Sequence, residues 1–301
     1  EPNFWPWRDY DSERWYDFDA GALREPSPAG SFDNQCAGCH FTGYKLAGDA
    51  DSGWSARAVS DPGGAFDFDG DGRREEINAG CESCHGPGSQ HIESPVRGRH
   101  IVSPSLLTPG REMTLCGACH SRPVGVGGGA EAPLSAEGRM PRPGIRRAEY
   151  LALHTSRIDA GPENLYPSGD SRSHHQQSTD LLRSKKYRNG ALLMTCTSCH
   201  DPHGDDENPS SLRAPAENTF CTTCHGTPEY MEINQHLEEA TGIDHVGIDV
   251  ELFECTLCHM VPTAVSGAGS NALLDDIPVR SHVQYYNGDI RSHRFSVTDK
   301  E

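Results

Sequence analysis

The chain has 301 residues, of which 26 are Lys or Arg and 44 are Asp or Glu, for a formal net charge of -18. A solvated acidic surface or salt adaptation accounts for that balance; the functional alternative is a preference for basic partners and poor affinity for nucleic acid or anionic membranes. Only 35% of residues are hydrophobic, against 32 Gly and 21 Pro, which is thin material for a conventional core of long helices and sheets.

No stretch approaches the roughly 20 consecutive apolar residues of a membrane span. Glu1 opens the chain with no initiator Met, charged n-region or apolar leader, so the expectation is a secreted chain whose signal peptide has been removed.

The first feature along the chain is Cys36-Ala-Gly-Cys39-His40. Next comes an acidic run, Asp67-Phe-Asp69-Gly-Asp71-Gly72, with oxygen ligands at positions 1, 3 and 5 and Gly at position 6 of a calcium loop. Position 12 is Asn78 rather than the bidentate Glu, so Glu75 or Glu76 would have to substitute. Calcium at Asp67, Asp69 and Asp71 stands as one expectation, and a plain acidic turn as the other. Cys81-Glu-Ser-Cys84-His85 follows, with His91 six residues beyond it, and then Cys116-Gly-Ala-Cys119-His120.

Gly125-Val-Gly-Gly-Gly and Pro141-Arg-Pro-Gly read as loop. Short helices are predicted over 146–155, 174–187 and 228–239. Between and beyond them lie Cys196-Thr-Ser-Cys199-His200, Cys221-Thr-Thr-Cys224-His225 and Cys255-Thr-Leu-Cys258-His259. The 75 residues between the third and fourth motifs, 121–195, split the chain into three-haem halves, 1–145 and 146–301, expected to form one continuous haem-packed unit. The fold class expected is mostly coil with short α-helices wrapped around a haem stack and little β structure. The haem faces stand in for an apolar core.

All 12 cysteines fall into six C-x-x-C-H motifs, the signature of covalent haem c attachment. A disulfide scaffold needs no His after every second Cys. Zinc ribbons place their His elsewhere, and thioredoxin-like motifs come singly beside a βαβ pattern. With 16 His in 301 residues, chance placement after all six pairs has a probability on the order of 10⁻⁸ against the motif reading. Six haem c groups follow, with His40, His85, His120, His200, His225 and His259 as proximal iron ligands. Haem c is attached outside the cytoplasm, so a periplasmic, cell-surface or extracellular location is expected.

Ten histidines remain, and only five Met compete as axial ligands. Bis-His ligation is therefore the expectation, with low-spin iron at low potential. His203 lies three residues after His200, too close for the chain to round a haem edge, and so must serve a different haem; His91 follows the same logic less tightly. His175, His245, His282 and His293 complete the distal set. His174 is a spare or supporting partner of His175, while His100, His154 and His236 stay unranked.

The segment Ile77–His91 resembles the haem-binding segment of the multihaem cytochrome family that includes hydroxylamine oxidoreductase and its tetrahaem electron acceptor. Cys196–Gly204, Cys255–Pro262 and Gly288–Phe295 are similar to multihaem cytochromes of metal-reducing and sulfur-cycle bacteria, a group that includes extracellular filament formers. The resemblance covers roughly 34–125 and 174–298 in pieces. It implies electron transfer, distal roles for His91 and His203, and redox proteins, extracellular acceptors or further copies of the chain as partners. A head-to-tail filament would use His282 or His293 as a ligand to the next subunit. The competing enzyme reading needs an iron with an open position, and the C-x-x-C-K motif of nitrite reductase sites is absent from the chain.

Overall fold

A computed structural model describes residues 78–127, 132–159, 161–190 and 192–204 as continuous stretches. It also describes shorter pieces at 16–17, 21–23, 34, 36–43, 45–49, 53–56, 59–60, 66–67, 212–213, 219–225, 255–264 and 290–295. Most of this chain is turn and irregular backbone. The described helices are α1 (Ala37–His40), α2 (Cys81–His85), α3 (Ser89–Glu93), α4 (Pro109–Gly117), α5 (Arg147–Leu153), α6 (Gln177–Arg183), α7 (Thr219–His225) and α8 (Cys255–His259). Single 3-10 turns occupy Pro104–Leu106, Pro162–Asn164 and Cys196–Ser198.

Sheet is confined to five antiparallel pairs among the described residues. They are β1 (Tyr16–Asp17) with β2 (Ala22–Leu23), β3 (Leu46–Asp49) with β4 (Gly53–Ala56), β5 (Val59–Ser60) with β6 (Phe66–Asp67), β7 (Val124–Gly125) with β8 (Thr155–Arg157), and β9 (Pro262–Ala264) with β10 (Ile290–Arg291). The sparse helix and sheet agree with the composition.

The chain divides into two units, Glu1–Gly161 and Pro162–Glu301, each holding three C-x-x-C-H motifs. In the first unit Ala37, Leu46, Ala132 and Leu134 form a buried cluster, with Phe41 and Met140 against it. Gly138 closes this cluster at φ +74°, where a Cβ would collide with the Leu46 carbonyl; the Leu46 amide instead donates to Gly138 O at 2.9 Å. Gly125, expected in a loop, ends β7 opposite Thr155, because the backbone of Ala132 and Leu134 approaches where its side chain would be. Helix α4 starts with Pro109 at its first turn, where a missing N–H costs nothing. It buries Met113 and Thr114 and lies against α5, whose Tyr150 is buried.

The second unit is built around α6 and the β9–β10 pair. Helix α6 is shorter than the 174–187 expected. His175 has φ 56°, a left-handed conformation that cannot sit in a helix, and Ser184 turns the chain out at the other end. The helix expected over 228–239 lies outside the described residues.

Candidate metal centres

A helical turn brings residues i, i+3 and i+4 to one face, and the attachment motifs use this. The Cys39 and His40 amides both donate to Cys36 O at 3.1 Å. At the fourth motif Cys199 N and His200 N reach Cys196 O at 3.2 and 2.9 Å, and at the third Cys119 N and His120 N reach Cys116 O at 3.2 and 3.0 Å. Both sulfurs and the imidazole are thereby presented together. The fourth turn is also capped: Thr195 N donates to Ser198 Oγ at 3.0 Å within a capping box. The second is tied to the first through the Thr42 and Ser83 hydroxyls, 2.6 Å apart.

Within each unit the motifs gather. In the first, the Cys39 thiol hydrogen-bonds Cys119 and pulls its pKa down against burial. Burial pushes the Cys84 thiol up, and the nearby Cys116, Cys119 and Cys81 add to it. In the second, burial and Cys255 push Cys221 up to about 11, while burial and the adjacent Cys224 raise Cys199. None of the described cysteines is in a disulfide. Tyr150, which sequence reasoning passed over, stands beside Cys119 and Cys39; burial raises its pKa against a hydrogen bond with Ser121.

Several imidazoles are oriented through Nδ1 by a backbone carbonyl: His85 to Val102 O at 2.7 Å, His91 to Arg99 O at 3.1 Å, His293 to Arg291 O at 2.9 Å and His154 to Pro133 O at 3.3 Å. When Nδ1–H donates, Nε2 carries the lone pair, the arrangement typical of metal-ligating histidine. His154 was unranked in sequence because a helical context equally suits a surface residue; its contact with Pro133, 21 residues away, could not be read there.

The rings of His200 and His293 face each other with centroids 6.0 Å apart and planes at 27°. The near-parallel rings are stacked, which brings the proximal histidine of the fourth motif beside one of the histidines expected as a distal ligand. His293 is held there by β10 and by buried carboxylates. Ser292 Oγ donates to Asp170 at 2.9 Å and lies 3.4 Å from Asp180, Asp180 also accepts from Ser171 Oγ at 2.5 Å, and Arg294 sits 3.6 Å from Asp170. Burial pushes the Asp180 carboxyl up to about 6, opposed by hydrogen bonds from Ser171 and the His293 amide.

The remaining candidates are less organised. His203 is exposed, its amide and ring both beside Asp201 at 3.1 and 3.7 Å; the proximal His40, His120 and His225 are exposed as well. His174 and His175 meet through their Nδ1 atoms at 2.5 Å, and exposed His100 accepts from Arg99 Nε at 3.2 Å. His259 closes α8. His236, His245 and His282 lie outside the described residues, as do Asp69, Asp71 and the side chains of Asp67 and Cys258. Among the described residues no group of three or more His, Cys, Asp or Glu could hold a bare metal ion. Haem makes no such demand, since the porphyrin fills four positions and the protein only two. Nor is any described helix long and apolar enough to cross a membrane.

Residues 189–229, spanning the fourth and fifth motifs, match the family model of the doubled CXXCH motif. Over 157 residues, 52% of the chain, the sequence is 24% identical to the multiheme cytochrome MtrA of Shewanella baltica (strain OS185). The match covers 45% of that relative, so the chain corresponds to less than half of its length. The outer cell wall cytochrome OcwA resembles 83% of this chain and 59% of its own at 24% identity and a TM-score of 0.48. An undecaheme cytochrome from the S-layer of Carboxydothermus ferrireducens resembles 82% of this chain and 40% of its own at 18% identity and a TM-score of 0.33. The complete attachment motifs, the doubled-motif match and the MtrA similarity all point to covalently bound haem c and make the chain similar to multihaem c-type cytochromes.

Proposed function

We propose that the chain carries six haem c groups, three in each unit, and relays electrons outside the cytoplasm between redox proteins or to extracellular acceptors. The observation that carries this reading is the set of six complete C-x-x-C-H motifs; the stacking of His293 on the proximal His200 at 6.0 Å supports a histidine as second ligand at the fourth of them. Bound haem supplies a one-electron ferric/ferrous couple. The chain's residues attach it through paired sulfurs, close its iron to small ligands, and set the motifs of each unit side by side.

The histidine count supports the same reading. The first unit contains six histidines, His40, His85, His91, His100, His120 and His154, of which three are proximal. Closing three irons from within that unit would take His91, His100 and His154. His91 and His154 already have the Nδ1 contact suited to Nε2 ligation. In the second unit, His293 beside His200 of its own chain favours ligands supplied in cis. A head-to-tail filament would then rest on His282.

The test is intact mass and ferric electron paramagnetic resonance on the natively matured protein. Six haems per chain with low-spin iron throughout are expected. Five or fewer haems, or a native high-spin ferric signal, would overturn the reading and turn attention to an enzyme with one open iron. Electron microscopy separates discrete particles from filaments.

A further inference from the structure

One contact in the second unit is not explained by a row of bis-histidine irons. Lys186 Nζ lies 2.6 Å from Nε2 of His225, the ring nitrogen that a C-x-x-C-H motif turns toward its iron. We propose that Lys186 is the second axial ligand of the iron held by Cys221, Cys224 and His225, so that this site is a histidine–lysine centre. The proposal rests on reading that motif as a haem site and deepens it by naming the ligand.

Two features support it. First, the position: the Lys186 amine lies beside the ring nitrogen that would bind the iron, and a four-carbon side chain can draw back by changing rotamer to admit it. Second, the lysine is on a built turn rather than a loose arm. Ser184, buried at the end of α6, donates through Oγ to Leu181 O at 2.7 Å and accepts from Tyr187 N at 3.1 Å. Arg188 Nε donates to Leu182 O at 2.9 Å. The Asn189 side-chain amide donates to Lys186 O, and Leu192 N donates to Asn189 Oδ1 at 2.9 Å.

The chemistry balances simply. The ammonium releases its proton to solvent, the nitrogen lone pair forms the bond to iron, and no electron is transferred. Arginine cannot do this, because its guanidinium keeps its proton throughout the accessible pH range. An amine donates σ density without the π interactions of an imidazole, so the ferric state is favoured and this site would be among the lower-potential ones.

The experiment uses the full-length, natively matured protein with Lys186→Ala, Lys186→Arg and Lys186→His. Peptide mass mapping first establishes that haem remains on Cys221 and Cys224. If no haem is found there even in the parent, the haem reading of this motif fails and takes the proposal with it. With haem present, the expected result is one additional carbon monoxide-binding haem per chain in both the Ala and Arg variants. One ferric low-spin component, with the near-infrared magnetic circular dichroism band of histidine–lysine iron, should disappear with it. Lys186→His should close the site again and convert that band to the bis-histidine position. A Lys186→Arg protein indistinguishable from the parent would show that the residue contributes charge alone and overturn the assignment, as would a parent spectrum containing only bis-histidine bands.

Discussion

Exchanging His293 for alanine isolates one iron. The ring is 6.0 Å from His200 and is oriented by Arg291 O at 2.9 Å. If the two histidines share an iron, as proposed, its removal would leave that iron with His200 as its one protein ligand. With six sites, one haem in six should change from low-spin to high-spin and bind carbon monoxide, while haem content stays constant. Ser292→Ala should give the same species only in part. It deletes the 2.9 Å donor to Asp170, whose carboxylate keeps Ser168 and Arg294, so the loss is that of one hydrogen bond, about 1 kcal/mol. At about 1.4 kcal/mol per decade, opening of the 290–294 segment becomes roughly 5 times more frequent. The assay is low-temperature electron paramagnetic resonance, with carbon monoxide difference spectra as the count. To locate the affected haem, His293→Ala is repeated in a Cys196→Ala, Cys199→Ala background, where it should add nothing. An unchanged spectrum in the single variant, or an undiminished effect in that background, would refute the pairing of His293 with His200.

Leu134 is fully buried among Ala37, Leu46 and Ala132, so Leu134→Ala should cost about 2–5 kcal/mol. At 2–4 °C per kcal/mol for a unit of this size, thermal unfolding should fall by at least about 4 °C, whereas Leu153→Ala at 52% exposure should change stability by no more than about 0.5 kcal/mol. His154→Ala and His100→Ala should each open one iron of the first unit to carbon monoxide, and an unaltered count in either would return that histidine to an ordinary surface role. Thr195→Ala removes half of the capping box at the fourth motif and should cost about 1 kcal/mol, read by chemical denaturation. Calcium should raise the melting temperature and a chelator lower it if Asp67, Asp69 and Asp71 bind the cation; insensitivity to both removes that expectation.

What the sequence made legible was local. A C-x-x-C-H motif forms its own turn, so its chemistry could be read without knowing anything distant. Helices at 146–155 and 174–187 were visible from their composition. Their true limits, Arg147–Leu153 and Gln177–Arg183, depend on the left-handed His175 and on the Ser184 hydroxyl bonding back to Leu181. The strands are too short for any period to show: β7 exists because Thr155, 31 residues away, bonds Val124 O. Lys186 was invisible for the same reason. In Ser-Lys-Lys-Tyr it reads as solvated charge, and only the fold sets it against a histidine 39 positions on.

Eighteen polar or charged residues are buried among those described, against nine hydrophobic ones, four of which are alanine. Among the described residues, apolar side-chain burial at about 25 cal/mol per Å² is therefore modest beside a network of buried hydrogen bonds, which contribute about 1 kcal/mol each. They specify position more than they supply stability. The carboxylates of Asp170 and Asp180 illustrate the point: burial raises Asp180, an energetic cost, yet together they hold Ser292 Oγ, the His293 amide and the Arg294 side chain beside the His293 ring. The same division runs through the Thr195–Ser198 cap, the Thr42–Ser83 contact and the Nδ1 bonds of His85 and His91. A chain organised this way gains cohesion from binding a large apolar group to its native state, since a ligand that favours the folded form stabilises it. If haems occupy the six motifs, the polar network and the cofactor would thus have separate tasks: the network would aim the ligands, and the porphyrin faces would provide apolar surface that the described residues lack.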